Sequence, residues 1–101
     1  MVIISKPILR KFIIKFPDVT EPLNEWYNKT KQADWNGLPD VKLTFNSVDY
    51  VGNDRFVFNI KGNKYRLVAM IFFSVRTVYI KFFGTHKEYD KIDVATIDLK
   101  E

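Results

Sequence analysis

Three apolar runs between Arg55 and Thr85 constrain the fold of this chain more than any other feature. Arg55 to Ile60, Tyr65 to Phe73 and Thr77 to Thr85 are rich in Phe, Val, Ile and Tyr, and they are separated by Lys61-Gly62-Asn63-Lys64 and Ser74-Val75-Arg76. β-Branched and aromatic side chains suit a pleated surface, and Gly and Asn accept the left-handed backbone of tight hairpin turns. Strands joined by turns this short must be antiparallel neighbours, so the segment predicts a three-stranded meander.

The first half reads differently. Met1 to Ile4 predicts a short strand, and Ser5 with Pro7 just behind it predicts a helix start. Ile8, Leu9, Phe12, Ile13 and Phe16 recur at helical offsets with Arg10, Lys11 and Lys15 on the other side, until Pro17 closes the helix. A second helix is predicted from near Val19 to Gln32, with Leu23, Trp26, Tyr27 and Thr30 along one face. Asn36 to Asp40 is turn chemistry. The pattern between Val41 and Asp54 is weak, compatible with a short helical or extended connection around Leu43, Phe45 and Val48. His86 to Asp93 predicts one or two helical turns, and the tail from Val94 either adds an edge strand or lies over the sheet. The expectation is an α+β fold, two N-terminal helices packed on a small antiparallel sheet in the order β-α-α-β-β-β.

A chain of 101 residues has room for one domain, residues 1–101. Its 47% hydrophobic and 16% aromatic content excludes disorder. The absence of Cys removes disulfides, thiolate metal sites and a cysteine nucleophile. The longest apolar run, Leu67 to Phe73, is far short of the roughly 18 residues of a membrane span, and charges at Lys6, Arg10, Lys11 and Lys15 break up any signal-peptide core. The expected location is cytoplasmic, with no membrane partner. Gly-rich phosphate loops, nucleophile elbows and H-E-x-x-H are also missing.

The net charge of +4 is unevenly spread. Residues 55 to 91 hold eight basic side chains against two acidic ones, a balance of +6, while the other positions hold eight basic and ten acidic. That asymmetry fits a face that meets phosphates, although edge lysines that discourage strand pairing produce the same count.

Strand register brings particular residues together. A two-residue Gly62-Asn63 loop sets Asn59 opposite Arg66, and a three-residue Ser74 to Arg76 loop sets Arg66 opposite Gly84. Asn59, Arg66 and Gly84 then form a row, with His86, the one histidine of the chain, two residues beyond it. Cleavage of RNA by its own 2′-hydroxyl needs a proton acceptor, a proton donor and positive charge on the developing phosphorane. His86 suits proton transfer, Arg66 a bidentate phosphate clamp, and Tyr89 base stacking or proton donation. Asp90 would orient His86 or hold the loop to the sheet. Each has a plainer reading: His86 as a surface residue, Arg66 paired with a strand-end carboxylate, Tyr89 packed with Ile92. His86, Asp90 and Asp93 also have the spacing of three ligands on one side of a helix, a metal reading weakened by the nearby Lys87 and Lys91.

The run Phe58-Asn59-Ile60-Lys61-Gly62-Asn63-Lys64-Tyr65-Arg66-Leu67, followed some 25 residues later by Thr85-His86-Lys87-Glu88-Tyr89-Asp90, resembles the HigB family of toxins. These are RelE-like mRNA interferases of bacterial type II toxin-antitoxin systems. The resemblance covers about residues 58 to 93, and the N-terminal helices agree in layout rather than in residues. It implies a RelE-like fold, endoribonuclease activity on mRNA in association with the translating ribosome, and neutralisation by a helix-turn-helix, HigA-like antitoxin. Asn59, Gly62, Asn63 and Arg66 match the hairpin motif, and His86, Tyr89 and Asp90 the terminal one. The expected catalytic set is Arg66, His86 and Tyr89, working without a metal or other cofactor. Asn59, Lys61, Asn63, Lys64, Lys87 and Lys91 are expected to bind RNA, with Gly62 and Asp90 structural. The acidic tail, Asp98 to Glu101, differs from the basic tails of some members. The competing readings are a non-catalytic RNA- or ribosome-binding module, a metal-dependent nuclease, and a protein-interaction subunit without an RNA role.

Overall fold

A computed structural model describes residues 1–4 and 6–98. Ser5, expected to start the first helix, and Leu99 to Glu101 of the acidic tail lie outside the described residues. The chain runs through β1 (Val2–Ile4), α1 (Lys6–Lys15), a 3-10 turn (Pro17–Val19), α2 (Thr20–Gln32), α3 (Leu38–Thr44), β2 (Val48–Tyr50), β3 (Arg55–Ile60), β4 (Tyr65–Phe72), a second 3-10 turn (Phe73–Val75), β5 (Thr77–Thr85) and α4 (His86–Tyr89). One five-stranded sheet in the order β1-β5-β4-β3-β2 carries the fold.

The meander of β3, β4 and β5 is antiparallel throughout, as expected. The architecture is the expected α+β layer, with three additions that the weak pattern between Val41 and Asp54 concealed or that sequence periodicity cannot report. β1 pairs with β5 in parallel, making the sheet mixed. The three-residue β2 extends the far edge by pairing with β3. A short α3 begins at Leu38, so Pro39 and Asp40, read as turn residues, stand in its first turn, where a proline costs no helical hydrogen bond.

The helix-side core follows the predicted faces. Leu9 of α1 and Leu23, Trp26 and Thr30 of α2 are buried, and the first three share one core with Phe56, Phe58, Ile60, Leu67, Ala69, Ile71, Val78, Ile80 and Phe83 from the sheet. Trp26 packs edge-on to Phe58 at 5.5 Å, and Phe12 stacks on Phe83 at 4.9 Å. Such aromatic pairs add about 0.5–1.5 kcal/mol each beyond burial. The N-terminal ammonium donates to Lys31 O and Ala33 O at 3.1 and 2.9 Å, tying β1 to the end of α2.

The opposite face of the sheet is covered at one end. Val57 and Val68, which pair across β3 and β4, are buried yet stand apart from the helix-side core. The C-terminal segment turns back here: Arg55 donates to Ile97 O at 3.1 Å, Asn53 to Ala95 O at 2.9 Å, and Lys81 meets Asp98 at 3.1 Å. Of the two expectations for the tail, the segment up to Asp98 takes the second and lies over the sheet. No helix among the described residues is long and apolar enough to cross a membrane.

Candidate functional site

The row expected across three strands is present. Asn59 stands opposite Arg66, and Arg66 opposite Gly84. The route to it differs from the loop arithmetic. The β4–β5 connection begins one residue earlier, with Phe72 paired to Thr77, which alone would set Arg66 against Phe83. A register shift between Val68 and Ala69 adds one residue to β5 and restores Gly84 as the partner. The extra residue is Lys81, because Ala69 pairs with Ile80 and Val68 with Phe82.

The β3–β4 hairpin turns through Lys61 and Gly62 with φ of +54° and +63°, closed by Lys64 N donating to Lys61 O at 3.3 Å. Glycine adopts that backbone without a Cβ penalty. From this hairpin, Lys64 O accepts the His86 N–H at 3.1 Å, which joins the turn to the start of α4. α4 is a single turn whose start is capped reciprocally: Thr85 Oγ1 accepts from Glu88 N at 3.2 Å, and Glu88 Oε1 accepts from Thr85 N at 3.0 Å. Gly84 makes this approach possible, since a Cβ there would lie 2.8 Å from Phe82 Cζ and 3.2 Å from Glu88 Cβ. Neither Glu88 nor Gly84's packing role was singled out from the sequence, although Thr85 and Glu88 have capping-box spacing.

α4 brings Tyr89 against the sheet. Its ring packs on Phe82 at 6.4 Å, and the Arg66 guanidinium lies over it at 5.3 Å. Arg66 is half-buried and forms no salt bridge among the described residues, so no strand-end carboxylate pairs with it there. Its Nε–H is buried with no acceptor among the described residues. Leaving a charged donor unsatisfied is costly, and such a group is primed for an anionic oxygen. His86 is exposed, and its Nδ1 lies 3.1 Å from Asp90 Oδ2. When Nδ1 donates to Asp90, Nε2 is left as an acceptor aimed away from that bond. Asp93 is not on α4, which ends at Tyr89, and its Oδ1 accepts from Ala95 N at 3.1 Å. His86, Asp90 and Asp93 therefore do not share a helix face.

Much of the positive excess is already matched. Lys61 and Lys64 both reach Asp18 Oδ2, at 3.1 and 2.8 Å, Arg76 pairs with Asp34, and Lys81 with Asp98. Each acid comes from outside residues 55 to 91. Lys87 and Lys91 are exposed and have no ion pair among the described residues. The hairpin's Asn63 is exposed too, whereas Asn59 is partly buried and donates through Nδ2 to Ser47 Oγ.

Asp18 is the neighbour of the hairpin lysines that sequence reasoning missed, since nothing local shows that it reaches a hairpin more than 40 residues away. It also accepts from the Tyr65 hydroxyl at 2.8 Å. The Lys64, Tyr65 and Lys61 hydrogen bonds hold its carboxyl well below the usual carboxylate range. Its bond in turn raises Lys64, while burial and then Asp18 raise the Tyr65 phenol. A carboxyl lowered on folding contributes stability that is complete above its unfolded value near 4 and is lost as the pH falls toward the folded value. Asp18→Asn is expected to lower the urea midpoint at pH 7 by an amount that shrinks steadily below pH 4. A gap that stays constant with pH would contradict the assignment.

The family described as "HigB_toxin, RelE-like toxic component of a toxin-antitoxin system" matches residues 19–92. The "mRNA interferase toxin HigB" of Escherichia coli (strain K12) is 33% identical over 93 residues, covering 89% of this chain and 88% of that protein. The "mRNA interferase HigB" of Shigella flexneri shows the same identity and coverage. The "mRNA interferase HigB" of Escherichia coli O6:H1 is 29% identical over 94 residues, covering 91% of each chain.

Proposed function

This chain belongs to the HigB family, the RelE-like toxic components of toxin-antitoxin systems, and we propose that it acts as an mRNA interferase that cuts the message by transphosphorylation without a metal. The observation that carries the chemistry is the Arg66 guanidinium, half-buried against Tyr89 with an unsatisfied Nε–H and no carboxylate partner among the described residues.

In this mechanism Arg66 binds the non-bridging oxygens of the scissile phosphate and gains strength as charge builds on them. His86 Nε2 takes the proton of the adjacent 2′-hydroxyl, with Asp90 holding the ring through Nδ1. The 2′-oxygen bonds to phosphorus, the bond to the 5′-oxygen breaks, and that oxygen leaves with a proton from the Tyr89 phenol. The products are a 2′,3′-cyclic phosphate and a 5′-hydroxyl. Lys87, next to His86 in the chain, and Lys91, just past α4, are both exposed and hold the flanking backbone. Lys61 and Lys64 join them where RNA phosphate displaces Asp18, and Asn63 is available at the hairpin tip. Gly62 serves by shaping the turn.

The family makes an antitoxin the protein partner, and a helix-turn-helix protein of the HigA type is the partner we propose. The working context is the translating ribosome. The test is expression of the full chain followed by mapping of RNA ends. New ends within translated messages, carrying 5′-hydroxyl and cyclic-phosphate termini and forming in a purified translation reaction, are expected. Protection or stalling without new ends would mark a non-catalytic binder. For any ribosome-independent cleavage, persistence in excess EDTA is expected, and its abolition would mark a metal-dependent nuclease.

A further inference from the structure

The row Asn59, Arg66, Gly84 does not stop at β3. Ser47, just before β2, lies beside Asn59: its carbonyl accepts the Asn59 N–H at 3.4 Å and its hydroxyl accepts from the Asn59 amide. At this edge of the sheet the surface opens into a cleft of about 290 Å³. Its lining includes Lys29 of α2, Asn46, Ser47 and Asn59, with Phe45 and Phe58 among the walls. The two rings meet edge to face at 5.3 Å and give it an apolar, aromatic side.

The polar groups around that side are those of a reader rather than of a phosphate clamp. Asn46 is exposed, and its side chain makes no hydrogen bond among the described residues, which leaves an amide donor and acceptor on offer. Asn59 Oδ1 is buried without a donor among them. Primary amides present donor and acceptor side by side, the pattern that matches the edge of a nucleobase, and the partly exposed Phe45 offers a ring beside them while Phe58 is buried behind it. The cation in that lining, Lys29, is held by Glu25 at 2.8 Å, so the cleft does not concentrate the positive charge that phosphate would need. Asn59, one of its lining residues, stands opposite Arg66 on the adjacent strand, one strand spacing of about 4.8 Å away, which puts the cleft beside the row that carries Arg66.

We propose that the Asn46–Ser47–Asn59 cleft is a base-reading subsite that receives the nucleobase next to the scissile phosphate and sets the sequence preference of cleavage. The proposal rests on the reading of the protein as an RNA-cleaving toxin. It assigns to this corner a role distinct from the chemistry at Arg66 and His86.

The experiment compares the full-length wild type with Asn46→Ala and Ser47→Ala by mapping cut ends across all messages. Asn46 is exposed and its side chain makes no hydrogen bond among the described residues, so that variant reports even where Ser47→Ala unfolds. The expected result is an approximately tenfold shift in the relative cut frequency of the four bases at one position flanking the cut, with the preferred message still cleaved. An unchanged base profile with cleavage retained overturns the subsite and leaves the RNase reading standing. An equal loss across all sequences in a folded variant also overturns it, because base reading predicts selectivity. Absence of cleavage by the wild type overturns the RNase reading itself, and the subsite with it.

Discussion

Arg66→Ala is expected to slow mRNA cleavage by about 10²–10³-fold while leaving the folded protein intact. The guanidinium forms no ion pair among the described residues, and its buried Nε–H lacks an acceptor there, so deletion removes an unsatisfied donor rather than a supporting bond. The substitution does give up the packing of the guanidinium over Tyr89, worth about 0.5–1 kcal/mol at a partly exposed site. Arg66→Lys keeps the charge but not the planar fork, and is expected to recover only part of the rate. Cleavage rates of the purified variants, set beside thermal melts, check both statements. A rate within about threefold of the wild type in a folded Arg66→Ala protein would sink the phosphate-clamp role.

His86→Ala is expected to cost about 10²–10⁴-fold, the usual contribution of a positioned acid–base group. The fold tolerates the change because α4 is held through the His86 backbone N–H and the Thr85–Glu88 cap, neither of which needs the imidazole. Added free imidazole should restore part of the activity of His86→Ala and none of that of Arg66→Ala. Rescue of both variants, or of neither, would argue that the imidazole does not move the proton. The smaller loss expected for Asp90→Asn follows from its position: it touches Nδ1 and acts through the ring.

Asn59, Arg66 and Gly84 form one row by register, and the two halves of that row have different physical origins. Asn59 opposite Arg66 followed from an expected two-residue Gly62-Asn63 loop; the strands part at Ile60 and Tyr65 and the positive φ values fall at Lys61 and Gly62, but a turn centred between Gly62 and Asn63 keeps the same register. Arg66 opposite Gly84 came out correctly through two displacements that cancel, a connection starting at Phe73 and a bulge at Lys81. The bulge has a packing cause legible only in three dimensions: it lets Ile80 and Phe83 both face the helix-side core, although strict alternation would send them to opposite faces.

The helices were readable because their apolar stripes repeat at helical spacing, and Leu9, Leu23, Trp26 and Thr30 are buried as that spacing requires. The stretch from Leu38 to Tyr50 was not, since a seven-residue helix and a three-residue strand are too short to display a period. Charge was legible as a total but not as a map. The basic excess of residues 55 to 91 was visible by counting, yet Lys61, Lys64, Arg76 and Lys81 meet Asp18, Asp34 and Asp98, acids distant in the chain.

By itself the sequence determined the meander, the two long helices, the family motifs and the short set of side chains able to do chemistry, because periodicity, turn preference and residue type are local properties. Only the tertiary structure decided which cations meet distant acids, that β1 closes the sheet in parallel, that Arg66 lies on Tyr89, and that Ser47 extends the row into a cleft. Those outcomes depend on segments tens of residues apart coming within hydrogen-bond distance, and such distances are set by packing of the whole chain.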